Sequence, residues 1–133
     1  MFSTSMKRKI MTGILLFATL ATPVTTKATT VIRQLPVNNG TKIMGWADAV
    51  VNWNLIGKDQ CAAGTVSNTA DEGYSNVTIY VAAYKNGTIK ANCSNSGQIH
   101  IELPTPLKIN CDSFYSKHTI NNGTKTYYRA MST

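Results

Sequence analysis

The sequence predicts an all-β protein, a small antiparallel β-sandwich of about eight short strands that follows an N-terminal signal peptide. Three observations support this prediction. The stretch from Asn76 to Cys93 alternates apolar with polar residues around an Asn-Gly pair, which is typical of a β-hairpin. Turn-forming residues recur roughly every 8–12 positions, as they do in β-sandwiches. A short apolar run near the N-terminus follows a cluster of basic residues, as in export signals.

The first 28 residues have the composition of a cleaved export signal. Lys7, Arg8 and Lys9 precede the apolar run Ile10–Ala21, whose twelve residues are too few to span a bilayer of ~30 Å comfortably. We therefore expect a signal peptide over residues 1–28, a single β-sandwich domain over residues 29–133 and no membrane span in the mature chain. An uncleaved anchor is the alternative. The predicted location is extracellular.

The charge of the mature chain is unremarkable for a soluble domain. The 133 residues include 13 Lys and Arg against six Asp and Glu, a formal charge of +7. Removing Lys7, Arg8, Lys9 and Lys27 with the signal leaves nine basic residues against the six acids, a charge of +3 on 105 residues. Since this is an ordinary solubility charge, nucleic acid is not expected as a partner.

The pattern of the central hairpin favours a three-residue loop. A loop at Lys85–Gly87, with its glycine as a left-handed bulge residue, places Ala83 opposite Ile89 and Ile79 opposite Cys93. One face of the hairpin then becomes apolar and the other polar and aromatic. A two-residue loop would instead pair apolar with polar side chains, and a slip of one residue turns every side chain over. The three-residue loop also predicts that Cys93 points into the core.

Other strands are predicted from the same period of two. In chain order they are a short strand or frayed terminus at Thr29–Gln34 that Pro36 ends, a strand within Ile43–Ile56, and strands at Cys61–Ser67, Gln98–Leu103, Leu107–Cys111, Ser113–Ile120 and Lys125–Met131. Trp46, Val50 and Trp53 also lie at helical spacing within the second of these, but the flanking glycines favour a strand. The repeated Asn-Asn-Gly-Thr-Lys at 38–42 and 121–125 indicates two hairpin turns.

Two prolines separate the later strands. Pro104 and Pro106 exclude a central strand at this place and predict a crossover. Just before them, Ile99 and its two alternate neighbours Ile101 and Leu103 are predicted to point inward, while His100 and Glu102 point outward.

The mature chain has three cysteines, Cys61, Cys93 and Cys111. An odd number in an exported protein indicates one disulfide and one spare thiol. Cys93 and Cys111 both fall on apolar strand faces and are the predicted pair. Three buried, unpaired thiols are the alternative.

No residues are predicted to be catalytic, to bind a metal or to hold a cofactor. His100 and His118 are the only histidines, and no Cys-x-x-Cys or His-x-x-x-His spacing accompanies them. Asp71 and Glu72 are the only adjacent acids, and they fall in a turn-rich stretch. The sequence also lacks a phosphate-binding loop, a dinucleotide fingerprint and a nucleophile elbow. The protein is therefore predicted not to be an enzyme.

Five Asn-x-Ser/Thr sequons occur, at Asn39, Asn76, Asn86, Asn92 and Asn122. They would accept glycans in a eukaryotic secreted protein. Three of them are Asn-Gly-Thr, which hairpin turns explain without a glycan, so the turn interpretation is preferred.

Tyrosines and basic residues give the one indication of a binding surface. Tyr80 and Tyr84 are predicted to share the polar face of the central hairpin with Lys90. Tyr and Arg are enriched in interfaces because they bury much area at low entropic cost. The alternative is that these tyrosines only stabilise cross-strand pairs. The predicted surface comprises Tyr80, Tyr84, Lys90, Lys125, Tyr127, Tyr128 and Arg129.

The C-terminal half resembles small exported proteins of Gram-positive bacteria. The resemblance rests on the alternating strand, the Tyr-Lys-Asn-Gly turn at 84–87, the run Ser116–Ile120 and the following Asn-Gly-Thr and Tyr-Tyr. It extends more distantly to the lactococcin 972-type bacteriocins, which are small β-sandwiches, although the three cysteines depart from their pattern. The function predicted first is a secreted, non-enzymatic module that binds a cell-wall or protein partner. A bacteriocin-like toxin and a small secreted hydrolase are the alternatives.

Overall fold

The computed structural model describes residues 29–68 and 75–133, and this part of the chain forms nine β-strands. The predicted signal peptide and the adjacent acids Asp71 and Glu72 lie outside the described residues. The all-β prediction is confirmed. The strands are β1 Thr29–Asn39, β2 Lys42–Trp53, β3 Asp59–Ser67, β4 Asn76–Lys85, β5 Thr88–Gln98, β6 His100–Glu102, β7 Leu107–Ile109, β8 Ser113–Asn121 and β9 Thr126–Ser132.

The strands form two antiparallel sheets that pack face to face. Sheet A has the order β1-β2-β3-β6, and the short β7 also pairs with β3. Sheet B has the order β5-β4-β8-β9. The described part of the chain contains no helix that could serve as a transmembrane span. The predicted hairpin at the end of the chain is present as β8 and β9.

The core lies between the sheets and is built from alternate residues of each strand. Sheet A contributes mostly small side chains, which allows the larger side chains of sheet B to approach closely. Near one end of the sandwich, the rings of Trp53 and Phe114 pack with centroids 5.4 Å apart. The buried cluster consists of Val37, Met44, Ala47, Ala49, Val51, Cys61, Ala63, Val77, Ile79, Val81, Ala83, Leu103, Phe114, Ile120 and Met131.

The turn of the central hairpin differs from the predicted three-residue loop. Asn86 and Gly87 have φ values of 53° and 77° and form a two-residue turn of the type that matches strand twist. Tyr84 therefore pairs with Ile89, and a bulge then shifts the register so that Ala83 pairs with Ala91. The predicted pairing of Ala83 with Ile89 is wrong because the bulge, not the loop, absorbs the extra residue.

The predicted faces hold beyond the bulge. Val81 pairs with Cys93, whereas the sequence predicted Ile79 opposite Cys93. Because the error is two residues, these side chains keep their faces. Ile89 does not, since it pairs with Tyr84 on the outer side and is 44% exposed. The alternate residues Val77, Ile79, Val81 and Ala83 are buried, and Cys93 packs against the core as expected.

Two predictions about proline are corrected by the structure. Pro36 does not end β1, which continues to Asn39. The carbonyl oxygen of Pro36 accepts a hydrogen bond from Arg129 Nε at 2.9 Å, on the side away from β2. Since the nitrogen and carbonyl of one strand residue point the same way, the missing N–H of Pro36 costs no hydrogen bond to β2. Proline on an edge strand is tolerated for this reason.

Pro104 and Pro106 do not mark a crossover between sheets. The strands on either side of them, β6 and β7, both pair with β3, so the prolines only interrupt one edge of sheet A. The chain crosses from sheet B to sheet A earlier, at Ile99, which has a φ of 67°. Ile99 was predicted to point into the core, but it is 38% exposed. Leu103 is buried, as predicted.

All three cysteines are free in the structure, and the predicted Cys93–Cys111 disulfide is not present. Their inward position is confirmed, because Cys61 is part of the core and the other two pack against it. Burial raises the pKa of the Cys61 thiol to about 12. Burial, followed by the charge of Asp59, raises the pKa of Cys111 to about 11. Both thiols therefore stay protonated and unreactive at neutral pH.

Candidate functional site

A line of aromatic side chains crosses the outer face of sheet B. Tyr80 and Tyr84 alternate along β4 with buried residues, so they project away from the core. On the neighbouring strand β8, Tyr115 pairs with Ala82, which lies between the two tyrosines of β4. The rings of Tyr80 and Tyr115 meet edge to face with centroids 6.4 Å apart, a favourable aromatic geometry.

The line continues toward β9. Lys117 pairs with Tyr80 on one side and with Ala130 on the other. Its Nζ lies 5.0 Å from the centroid of the Tyr128 ring, which places a cation over an aromatic face. We call Tyr84, Tyr115, Tyr80, Lys117 and Tyr128 the tyrosine stripe. From the strand rise of ~3.4 Å per residue, the stripe is roughly 20 Å long.

Small side chains line the surface beside the stripe. Ala82, beneath the tyrosines, is fully buried although it lies on the outer face. Ser94 and Ala130 occupy the positions beside Tyr80 and Lys117. A sheet face with ring surfaces, hydroxyl tips and one cation can hold an extended ligand that has both apolar and polar faces.

The structure brings together only part of the predicted surface. Tyr80, Tyr84 and Tyr128 lie on one face as expected. Tyr127 and Arg129 lie on the inner side of β9, where they pair with core-facing residues of β8. Tyr127 packs against the core and Arg129 binds the backbone of β1, so neither belongs to the surface.

The two predicted lysines stand at opposite ends of the sandwich. Lys90 is the bulge residue near the β4–β5 turn, and Lys125 lies in the β8–β9 turn. Tyr115 and Lys117 were missed as site residues. Their alternation within the predicted strand Ser113–Ile120 was visible, but the pairing of β8 with β4 joins residues distant in sequence and leaves no local signal.

His118 belongs to the core and does not face a cleft. Its Nδ1 lies 3.0 Å from Thr65 Oγ1 and 2.9 Å from the carbonyl oxygen of Gly64, and its Nε2 lies 2.9 Å from Ser116 Oγ. The Thr65 hydroxyl donates to the carbonyl oxygen of Thr78 at 2.9 Å. Burial lowers the pKa of His118 to about 4, so the imidazole is neutral at physiological pH.

A second group of titratable side chains lies on the outer face of sheet A. Asp48 and Glu102 occupy the same row on either side of Gly64. His100 is on the adjacent position, with Nε2 3.0 Å from Glu102 Oε2, and it points outward as predicted.

Asp48 is completely buried, and desolvation raises its pKa to about 7, although the side chain of Gln34 opposes this shift. No pattern in the sequence indicates this burial, because an outward position on a strand normally faces water. In the described part of the chain, no three His, Cys, Asp or Glu side chains are arranged to hold a metal ion. The protonation of Asp48 in this row makes the stability of the fold depend on pH.

Comparison of this chain with protein-family models, with curated proteins and with solved structures found no match.

Proposed function

We propose that this protein is a secreted, non-enzymatic module that binds a cell-surface polysaccharide through the tyrosine stripe. The observation that carries the proposal is the line of Tyr84, Tyr115, Tyr80 and Tyr128 on one sheet face, which Lys117 connects between Tyr80 and Tyr128. Secretion is inferred from the composition of residues 1–28, which have the pattern of an export signal.

A polysaccharide fits the chemistry of this face. Sugar rings have an apolar side formed by C–H groups and a rim of hydroxyls. Tyrosine presents an apolar ring with a polar tip. The ring can pack against the C–H side of the sugar, and the tip can hydrogen-bond with the sugar hydroxyls. Lys117 adds attraction for anionic substituents, which many cell-wall polymers carry. Extended β-faces of this kind suit linear polymers more than small ligands, which usually bind in concave pockets.

The environment of the polar core residues also favours binding over catalysis. His118, the most perturbed histidine, is completely buried and all three of its close contacts are neutral groups. Cys61 is buried with a raised pKa, which suppresses the thiolate that a nucleophile requires. A binding module needs neither group to react.

The test is co-sedimentation of the purified protein with insoluble cell-wall preparations from Gram-positive bacteria, followed by titration with soluble fragments. We expect Tyr80→Ala/Tyr115→Ala to weaken binding at least about tenfold, because buried tyrosines at interface centres often contribute ~2 kcal/mol or more. Tyr80→Phe/Tyr115→Phe retains the rings and separates stacking from hydrogen bonding. Lys117→Ala is compared with Lys125→Ala, which removes the same charge away from the stripe. Wall binding that is unaffected by the alanine pair, or no wall binding at all, contradicts the proposal.

A further inference from the structure

The loop between β2 and β3 presents the two most exposed large apolar side chains of the described residues. Leu55 and Ile56 are 69% and 77% exposed. They are adjacent in sequence and occupy the tip of a hairpin, so together they form one apolar projection. A soluble protein gains nothing in stability from displaying two such side chains side by side.

Hydrogen bonds hold this loop in shape. The backbone N–H of Asn54 donates to Asp59 Oδ1 at 2.9 Å, and Asn54 Nδ2 donates to the carbonyl oxygen of Lys58 at 2.7 Å. Gly57 adopts a φ of 93°, which closes the turn. Asp59 is itself buried and accepts a further hydrogen bond from the N–H of Cys111 at 3.3 Å. These hydrogen bonds therefore hold the tip in a defined, projecting conformation.

Lysines surround the projection. Lys58 is in the loop itself. Lys108 lies on the adjacent strand β7, where it pairs with Gln60 of β3. Lys85 and Lys90 flank the β4–β5 turn, which lies at the same end of sheet B because Tyr84 pairs with the first residue of β8. All four lysines are exposed. We call this end of the sandwich, with Leu55, Ile56 and the four lysines, the basic pole.

Two acids lie at the same end of the sandwich and leave the four lysines in excess. Asp59 is buried under the loop, as described above. Asp112 accepts a hydrogen bond from the N–H of Asn86 at 2.7 Å and fixes the neighbouring turn. Four of the nine basic residues in 29–133 thus lie at the end that carries the apolar tip, together with two acids, so most of the +3 charge of this segment is at that end. The distribution of charge, rather than its total, points to a partner.

We propose that the basic pole docks on an anionic lipid bilayer, with Leu55 and Ile56 entering the boundary of the hydrocarbon and the lysines contacting head groups. Apolar side chains flanked by basic residues are the combination that binds such interfaces. Aliphatic tips make no directional contacts, so they suit a fluid apolar phase. A second copy of the chain fits less well, because tip-to-tip contact would bring two sets of four lysines together.

The path of the chain agrees with this orientation. Thr29 pairs with Trp53, so β1 begins at the basic pole. The segment that precedes it, with the apolar run Ile10–Ala21, therefore joins the fold at the end that carries Leu55 and Ile56.

Flotation with vesicles tests the proposal. Purified protein is mixed with vesicles of phosphatidylglycerol and phosphatidylcholine, and separately with vesicles of phosphatidylcholine alone. We expect binding to the anionic vesicles that weakens as salt is raised. Leu55→Ser/Ile56→Ser should lower the partition coefficient at least roughly 30-fold, and Lys58→Gln/Lys108→Gln should lower it roughly tenfold and flatten the salt dependence.

The matched control is Ile43→Ser/Ile99→Ser, which removes two exposed isoleucines at the opposite end of the sandwich and should leave binding unchanged. Tyr80→Ala/Tyr115→Ala should also bind vesicles normally, so the outcome is independent of the polysaccharide proposal. Three results overturn the inference: no binding to anionic vesicles, equal binding by the Leu55/Ile56 variant, or a concentration-dependent dimer that this variant abolishes. A thermal melt of each variant confirms that it is folded.

Discussion

Two buried titratable groups should impose opposite pH dependences on stability, and Asp48→Asn separates them. The pKa of Asp48 rises from 3.8 to about 7 on folding, chiefly because its carboxyl is desolvated. Between these values the folded chain holds a proton that the unfolded chain has lost. The free energy of unfolding therefore falls as pH rises from 3.8 to 7, by roughly 4 kcal/mol in total.

His118 acts in the opposite sense. Its pKa falls from 6.5 to about 4 on folding, because the imidazole is buried among neutral partners. Between pH 4 and 6.5 the unfolded chain holds the extra proton, so the free energy of unfolding rises with pH by roughly 3 kcal/mol. Across that window the slopes of Asp48 and His118 nearly cancel, and the two groups together should leave the stability of the wild type almost independent of pH.

Asp48→Asn removes the pH dependence of stability that Asp48 contributes and keeps the shape of the side chain. We expect the free energy of unfolding of this variant to rise by roughly 3 kcal/mol between pH 4 and 6.5 relative to the wild type. His118→Gln should show the reverse, a fall over the same range. Urea denaturation at half-unit pH steps, followed by the fluorescence of Trp46 and Trp53, measures both.

The comparison is between variants at each pH, so groups that titrate identically in all three proteins drop out. His100 and Glu102, which face Asp48, remain in every variant. If Asp48→Asn and the wild type give parallel curves from pH 4 to 7, the carboxyl is ionised in the folded chain. In that case the account of its burial is wrong.

Three further predictions concern packing, backbone conformation and the thiols. Gly45→Ala should destabilise the fold by about 2 kcal/mol or more in urea titrations, because the new Cβ would lie 2.1 Å from the carbonyl oxygen of Val66; an unchanged midpoint would contradict this packing. Ile99→Gly should raise the free energy of unfolding by about 1 kcal/mol, since a φ of 67° strains a β-branched residue; a loss of stability would count against that reading. Reductant should leave the intact mass and the melting temperature unchanged, because all three thiols are free. Cys61 and Cys111 should resist iodoacetamide in the folded protein at pH 8, because their pKa values are raised. A mass increase of two hydrogens on reduction would instead indicate the predicted disulfide.

Local patterns in the sequence were enough to predict the elements of the fold. Period-two alternation identified β4, β5, β8 and β9, and the flanking glycines correctly favoured a strand for the ambiguous stretch around Trp46. The effect of proline on the strands was predicted less well. Its effect depends on which way its nitrogen points within a sheet, and Pro36 lies on an edge where that direction is harmless. No sequence pattern shows which strand becomes the edge.

The crossover at Ile99 could not be predicted for a related reason. A β-branched residue is a poor candidate for positive φ, and the nearby Pro104 and Pro106 gave a stronger local signal for a break. The chain nevertheless leaves sheet B at Ile99, because its carbonyl accepts a hydrogen bond from the N–H of Ser67 at 2.8 Å and its N–H donates to Ser75. Both partners are more than twenty positions away in sequence, so tertiary contacts outweigh the local preference here.

The candidate site was harder to predict than the core because the two depend on different properties of the register. Whether Cys93 or Tyr80 points inward depends only on whether the pairing is shifted by an odd or even number of residues, and an error of two left both faces correct. A site depends on which side chains share a row. Tyr80 meets Lys117 and lies diagonal to Tyr115 only in the observed pairing of β4 with β8; a slip of two residues would separate them by ~7 Å along the strand. Core composition can thus be inferred from alternation alone, whereas a binding face on the same sheet requires the pairing itself.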